Sequence, residues 1–92
     1  MNEKLINVNF LFTSGEKYKI QCSPNIKVKE LITYFLESLN SNNYEINKLK
    51  EELFFLFEGQ LIDKNSSMLL NKSGIIDESI IIVEKNNIDE II

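Results

Sequence analysis

Ile6, Val8, Phe10 and Phe12 alternate with Asn7, Asn9 and Leu11. A period of two is the pattern of a strand with one buried face. Thr13-Ser14-Gly15-Glu16 supplies a turn, with Gly15 free to take positive φ. Tyr18, Ile20 and Cys22 then alternate with Lys17, Lys19 and Gln21, so the two segments predict a hairpin with a shared inner face. Ser23-Pro24-Asn25 breaks the second strand, because Pro24 fixes φ and has no N–H to donate. From Val28 the period changes. Val28, Leu31, Ile32, Phe35, Leu36 and Leu39 lie on one helical stripe. Glu30 suits the positive end of the helix dipole and Lys27 and Lys29 do not, which leaves Asn25 as an alternative cap. The Asn and Ser residues of 40–43 end the helix.

The second half is less regular. Ile46, Leu49 and Leu53 are three and four residues apart, and Lys48 with Glu52 forms an i,i+4 pair. This reads as a helical turn inside a long connection. Leu53-Phe54-Phe55-Leu56-Phe57 is an unbroken apolar run, expected of a strand apolar on both faces. Glu58-Gly59 turns the chain, and Leu61-Ile62 adds a short strand. Asp63 to Ser67 is a polar loop, Met68-Leu69-Leu70 a short buried turn closed by Gly74, and Ile80-Ile81-Ile82-Val83 the last strand. Residues 1–84 are expected to form one domain and 85–92 a tail.

Composition narrows the function. Ninety-two residues with 43% apolar content make one compact domain without room for a large internal pocket. The net charge is −4, from ten Lys and fourteen acids with no Arg. An acidic chain without the guanidinium fork argues against nucleic acid as a partner. No apolar run is long enough to span a membrane, and Met1–Leu5 has no signal-type character. No membrane and no small-molecule substrate are expected, and the location expected by default is cytoplasmic or nuclear. Cys22, the one cysteine, reads as a small core hydrophobe. The two Asn-X-Ser matches at Asn65 and Asn71 read as chance in so Asn-rich a chain. With no His there is no Ser–His or Cys–His pair and no ordinary acid–base group. Glu51-Glu52 and Asp89-Glu90 are adjacent pairs that do not converge on a metal, and three Gly form no phosphate loop. No enzyme activity, no cofactor and no metal are expected.

The order of parts resembles ubiquitin and ubiquitin-like domains: a strand, a Gly15 turn, a strand, Pro24 and a helix, followed by Phe57-Glu58-Gly59, Leu61-Ile62-Asp63 and Gly74-Ile75-Ile76-Asp77-Glu78-Ser79 before a closing aliphatic strand. The resemblance covers about residues 5–84. It implies an α+β fold, the β-grasp, in which a mixed four- or five-stranded sheet packs on one helix and the two terminal strands run parallel at the sheet centre. Two departures stand out. No Gly-Gly pair occurs in the sequence, so conjugation to a target and sulfur transfer are not expected. The 40–53 connection is several residues longer than in ubiquitin.

The resemblance also implies an apolar partner-binding patch on the outer face of the sheet. Its third-strand member falls on Leu56, its fifth-strand member on Val83, and its first-hairpin member on Thr13, which is not apolar. Strand parity adds Leu11 and Ile81. Leu11, Leu56, Ile81 and Val83 are thus the expected partner-binding residues. Cover of the same face by the 84–92 tail, through Ile88, Ile91 and Ile92, or by the 40–53 connection, stands beside that reading. Lys17 and Lys19 offer a second surface. In Ras-binding relatives of the fold, basic residues here meet an acidic strand of a small GTPase, whereas Lys on an edge strand also serves to block aggregation. The expected function is a non-covalent protein–protein interaction module, a ubiquitin-like adaptor domain. The alternatives are a structural subunit of a larger assembly and a small-GTPase-binding domain.

Overall fold

A computed structural model describes residues 4–39 and 43–85, apart from the side chains of 43–45. Strands β1 (Ile6–Phe12) and β2 (Lys17–Cys22) are followed by helices α1 (Val28–Leu39) and α2 (Asn43–Glu52). Strands β3 (Leu53–Phe57) and β4 (Gln60–Leu61), the short helix α3 (Leu70–Ser73) and strand β5 (Ile80–Lys85) complete the order. The sheet has the order β2-β1-β5-β3-β4. β1 and β5 are parallel at its centre, and the β1–β2, β3–β5 and β3–β4 pairs are antiparallel. This is the α+β, β-grasp topology that the resemblance implies. The long connection holds more structure than expected, a ten-residue helix rather than a single turn. The last strand runs on to Lys85, and the expected tail beyond it, with the Ile88, Ile91 and Ile92 cover, lies outside the described residues.

One layer of side chains joins α1 to the sheet. The helix contributes Val28, Leu31, Ile32, Phe35 and Leu36, all buried, as its stripe predicts. The sheet answers with Ile6, Val8 and Phe10 of β1, Cys22 of β2, Leu53 and Phe55 of β3, and Ile81 and Val83 of β5. Phe35 is the hub. Its ring stacks on Phe10, with centroids 4.1 Å apart, and meets Phe55 edge-on at 5.8 Å.

The start of α1 is held by chain segments distant in sequence. The Val28 and Lys29 N–H groups donate to the carbonyls of Met68 and Ser66, at 2.9 and 3.0 Å. Glu30 reaches back to accept from the Lys27 N–H at 2.9 Å, which is half of a capping box. Asn25, the expected alternative cap, instead accepts from Asn71 Nδ2 at 2.7 Å. Met68 is exposed, so the expected buried turn is buried only at Leu70.

Lys64 fastens α2. Its ammonium donates to the Lys50 carbonyl and to that of Leu53 at 3.0 Å, and lies 5.3 Å from the centre of the Phe54 ring. A cation at the last carbonyls of a helix meets both their unpaired lone pairs and the negative end of the dipole. Together α1 and α2 leave the opposite face of the sheet uncovered among the described residues.

Candidate functional site

Side chains paired across neighbouring strands share a face. Leu11 pairs with Lys17 on β2 and with Ile82 on β5. Ile82 pairs in turn with Leu56 on β3, and Leu56 with Leu61 on β4. One row, Lys17–Leu11–Ile82–Leu56–Leu61, therefore crosses all five strands on the face away from α1. At ~4.8 Å per strand its apolar part is ~14 Å long. Leu11, Ile82 and Leu56 are half-buried and Leu61 is 65% exposed. Lys19, Asn9 and Ile80 make a second row beside it. On the other side Phe54 pairs with Glu84. Thr13 is exposed and polar, as expected.

Leu11 and Leu56 lie where the sequence places them, but Ile81 and Val83 do not. Both are 0% exposed and pack in the core opposite α1. Their register partners explain why. Ile81 pairs with Phe10, and Val83 with Phe12 and Phe55. Phe10 and Phe55 point at Phe35, so their partners on β5 must point inward too. A one-residue shift of register moves every side chain to the other face. In an all-apolar run such as Ile80–Val83, hydrophobicity alone carries no phase. The signal that does carry it is Glu84, which shares parity with Ile82 and Ile80. The outward members are therefore Ile82 and Ile80, with Leu61 added by the β4 pairing.

The basic residues occupy the edge strand. Lys17 and Lys19 are both exposed on β2, on the same outward face. Lys19 lies 3.7 Å from Glu78, so its charge is partly matched within the chain. Glu78 also accepts from Nδ2 of the buried Asn9 at 3.1 Å. It does so from a left-handed backbone, φ 66°.

Glu58 is left-handed as well, φ 53°, followed by Gly59 at 80°. With Phe57 paired to Gln60, this is the two-residue hairpin turn that needs positive φ twice and favours Asn-Gly. A Glu there costs about 1 kcal/mol of backbone strain. Glu58→Asn is expected to stabilise the domain by about 0.5–1 kcal/mol, read as a higher urea midpoint with an unchanged slope.

Among the described residues no three His, Cys, Asp or Glu come together as metal ligands. Cys22 is buried, and desolvation raises its thiol pKa above the ordinary value. What the face offers is apolar area with charge at its margins.

No protein-family model and no curated protein matches the chain. Solved structures do match. The UBL domain of yeast Ddi1 superposes with a TM-score of 0.70 at 15% identity, covering 92% of this chain and 93% of that one. The UBL domain of Plasmodium falciparum Dsk2 gives 0.66 at 19% identity, over 90% of this chain and 100% of that one. A ubiquitin-like domain of an Arabidopsis thaliana protein gives 0.68 at 19% identity, over 94% and 82%. The topology, the parallel pairing of the two terminal strands and these likenesses agree, and the chain has the fold of a ubiquitin-like domain.

Proposed function

We propose that this domain is a non-covalent protein-interaction module, a ubiquitin-like adaptor, that docks its partner on the row Leu11, Ile82, Leu56 and Leu61. The observation that carries the reading is the row itself. Four aliphatic side chains lie in register across β1, β5, β3 and β4, on the face the helices leave open. Contiguous exposed apolar clusters often mark interaction sites. The likeness to the UBL domains of Ddi1 and Dsk2 supports the same reading. Conjugation does not fit the residues that follow β5. Asn86-Asn87-Ile88-Asp89-Glu90 occupy the stretch where conjugated relatives carry a slim tail closing on Gly-Gly.

Affinity from such a row is modest. Each aliphatic side chain contributes at most about 1.5–3 kcal/mol when it goes from exposed to buried, and three of these four are already half-buried. The cost of association, roughly 4–15 kcal/mol, stands against that sum. Leu56→Asp tests the reading. Leu56 is only half-buried, so the variant is expected to fold. Its affinity for a helical ubiquitin-receptor peptide, measured by isothermal titration, is expected to fall more than about tenfold, since a charge is placed at the centre of an apolar contact. Equal affinity of the variant and the wild type, or no binding by the wild type, removes the reading.

A further inference from the structure

Beside the docking row the surface deepens into a groove of about 500 Å³. Phe57 lies along it, with Gly59 on the β3–β4 turn, Gly74 and Ile76 on the loop before β5, and Ile80 and Ile82 on β5 itself. Ile76 is 67% exposed and Ile80 51%, so the groove is openly apolar, and it continues the row through Ile82. A Cβ at Gly59 would meet nothing within 4 Å, and one at Gly74 would meet only Phe57 Cε2, at 3.8 Å.

Its polar lining includes Glu58 and Glu78, one from each of the two segments that flank it. These are also the only residues other than glycine with positive φ among the described residues. Such positions favour Asn or Gly. The chain has twelve Asn, yet both positions hold Glu. Residues kept in an unfavourable backbone conformation concentrate at binding sites. Glu58 has no side-chain partner among the described residues, and Glu78 is only partly matched by Lys19 at 3.7 Å.

We propose that this groove takes one large apolar side chain of a partner segment that carries Lys or Arg on both sides of it. The proposal rests on the interaction-module reading and adds a charge preference to it. The apolar lining supplies burial, and the two carboxylates select the sign of the flanking charge. The chain's own residues after β5 are the wrong occupant, because Asp89 and Glu90 would bring like charge to Glu58 and Glu78. A second copy, offering Lys17 and Lys19, is an outcome that the test separates.

The test is a methyl and amide shift titration of the intact 92-residue chain with the capped tripeptide lysyl-phenylalanyl-lysine and with its glutamyl counterpart. The lysyl peptide is expected to move Gly59, Gly74, Ile76 and Ile80, and the glutamyl peptide to move none of them. The double variant Glu58→Gln/Glu78→Gln keeps an acceptor oxygen for Asn9 and is expected to bind the lysyl peptide about three- to tenfold more weakly. Tyr34→Ala, on the exposed side of α1, is expected to leave these shifts in place. Equal responses to the two peptides, an unchanged affinity of the double variant, or groove shifts that grow with protein concentration alone would overturn the proposal. If the groove fails and the Leu56→Asp test succeeds, only the charge preference falls. The reverse result removes only the docking row.

Discussion

Phe35→Ala is expected to destabilise the domain by about 3–5 kcal/mol, the range for deleting a fully buried phenyl ring. The upper end is favoured here because the ring contacts four others. Besides Phe10 and Phe55, Tyr18 meets it edge-on at 5.9 Å and Phe12 lies tilted at 5.9 Å. Aromatic pairs contribute about 0.5–1.5 kcal/mol each beyond the area they bury. The total stability of a domain this size is about 5–14 kcal/mol, so one substitution removes a large share of it. The melting midpoint should drop by roughly 15–30 °C. Tyr34→Ala, one residue earlier and exposed on the same helix, should change stability by less than about 0.5 kcal/mol. Urea denaturation of the pair checks both numbers. The functional consequence runs through β5. Phe10 and Phe55 are the register partners of Ile81 and Val83, so the cluster around Phe35 decides which β5 side chains are left outside.

The second large effect is a contrast between neighbours. Ile81→Asp is expected to unfold the domain, and Ile82→Asp to leave it folded. Ile81 is 0% exposed, so aspartate there buries a carboxylate without a counter-charge, at several kcal/mol, and forfeits about 1.5–3 kcal/mol of side-chain burial as well. Ile82, half-buried between Leu11 and Leu56, loses cross-strand contacts worth roughly 0.2–1 kcal/mol each and gains a solvated charge. Circular dichroism melts of the two variants should differ by tens of degrees. A reversed order, with Ile82→Asp unfolded and Ile81→Asp folded, would mean that β5 has the opposite phase. The outward row and the core would then exchange members.

The hairpin and α1 were legible from sequence because their polar residues mark a phase. Asn7, Asn9, Lys17 and Lys19 fix the outer face of β1 and β2, and the stripe from Val28 to Leu36 fixes the inner face of α1. β3 and β5 were harder for a physical reason. The sheet centre is covered on one face by helix and is apolar on the other, so Leu53–Phe57 and Ile80–Val83 read the same in either register. Leu56 came out on the correct side, while Ile81 and Val83 did not. The full extent of α2 also lay beyond local pattern, since its last turn is secured by Lys64, fourteen residues after Lys50. The groove is further still from a local motif. Its members come from 57–59 and 74–82, which only the packing of the fold brings together.

The most direct measurement is a methyl shift map. The chain, labelled at Ile, Leu and Val methyls, is titrated with the helical ubiquitin-receptor peptide. The largest shifts are expected at Leu11, Leu56, Leu61 and Ile82, with Ile81, Val83 and the α1 core methyls of Leu31, Ile32 and Leu36 nearly still. Shifts centred on the α1 side of the domain, or on the Lys17–Lys19 edge with Leu56 and Ile82 unmoved, would contradict the account.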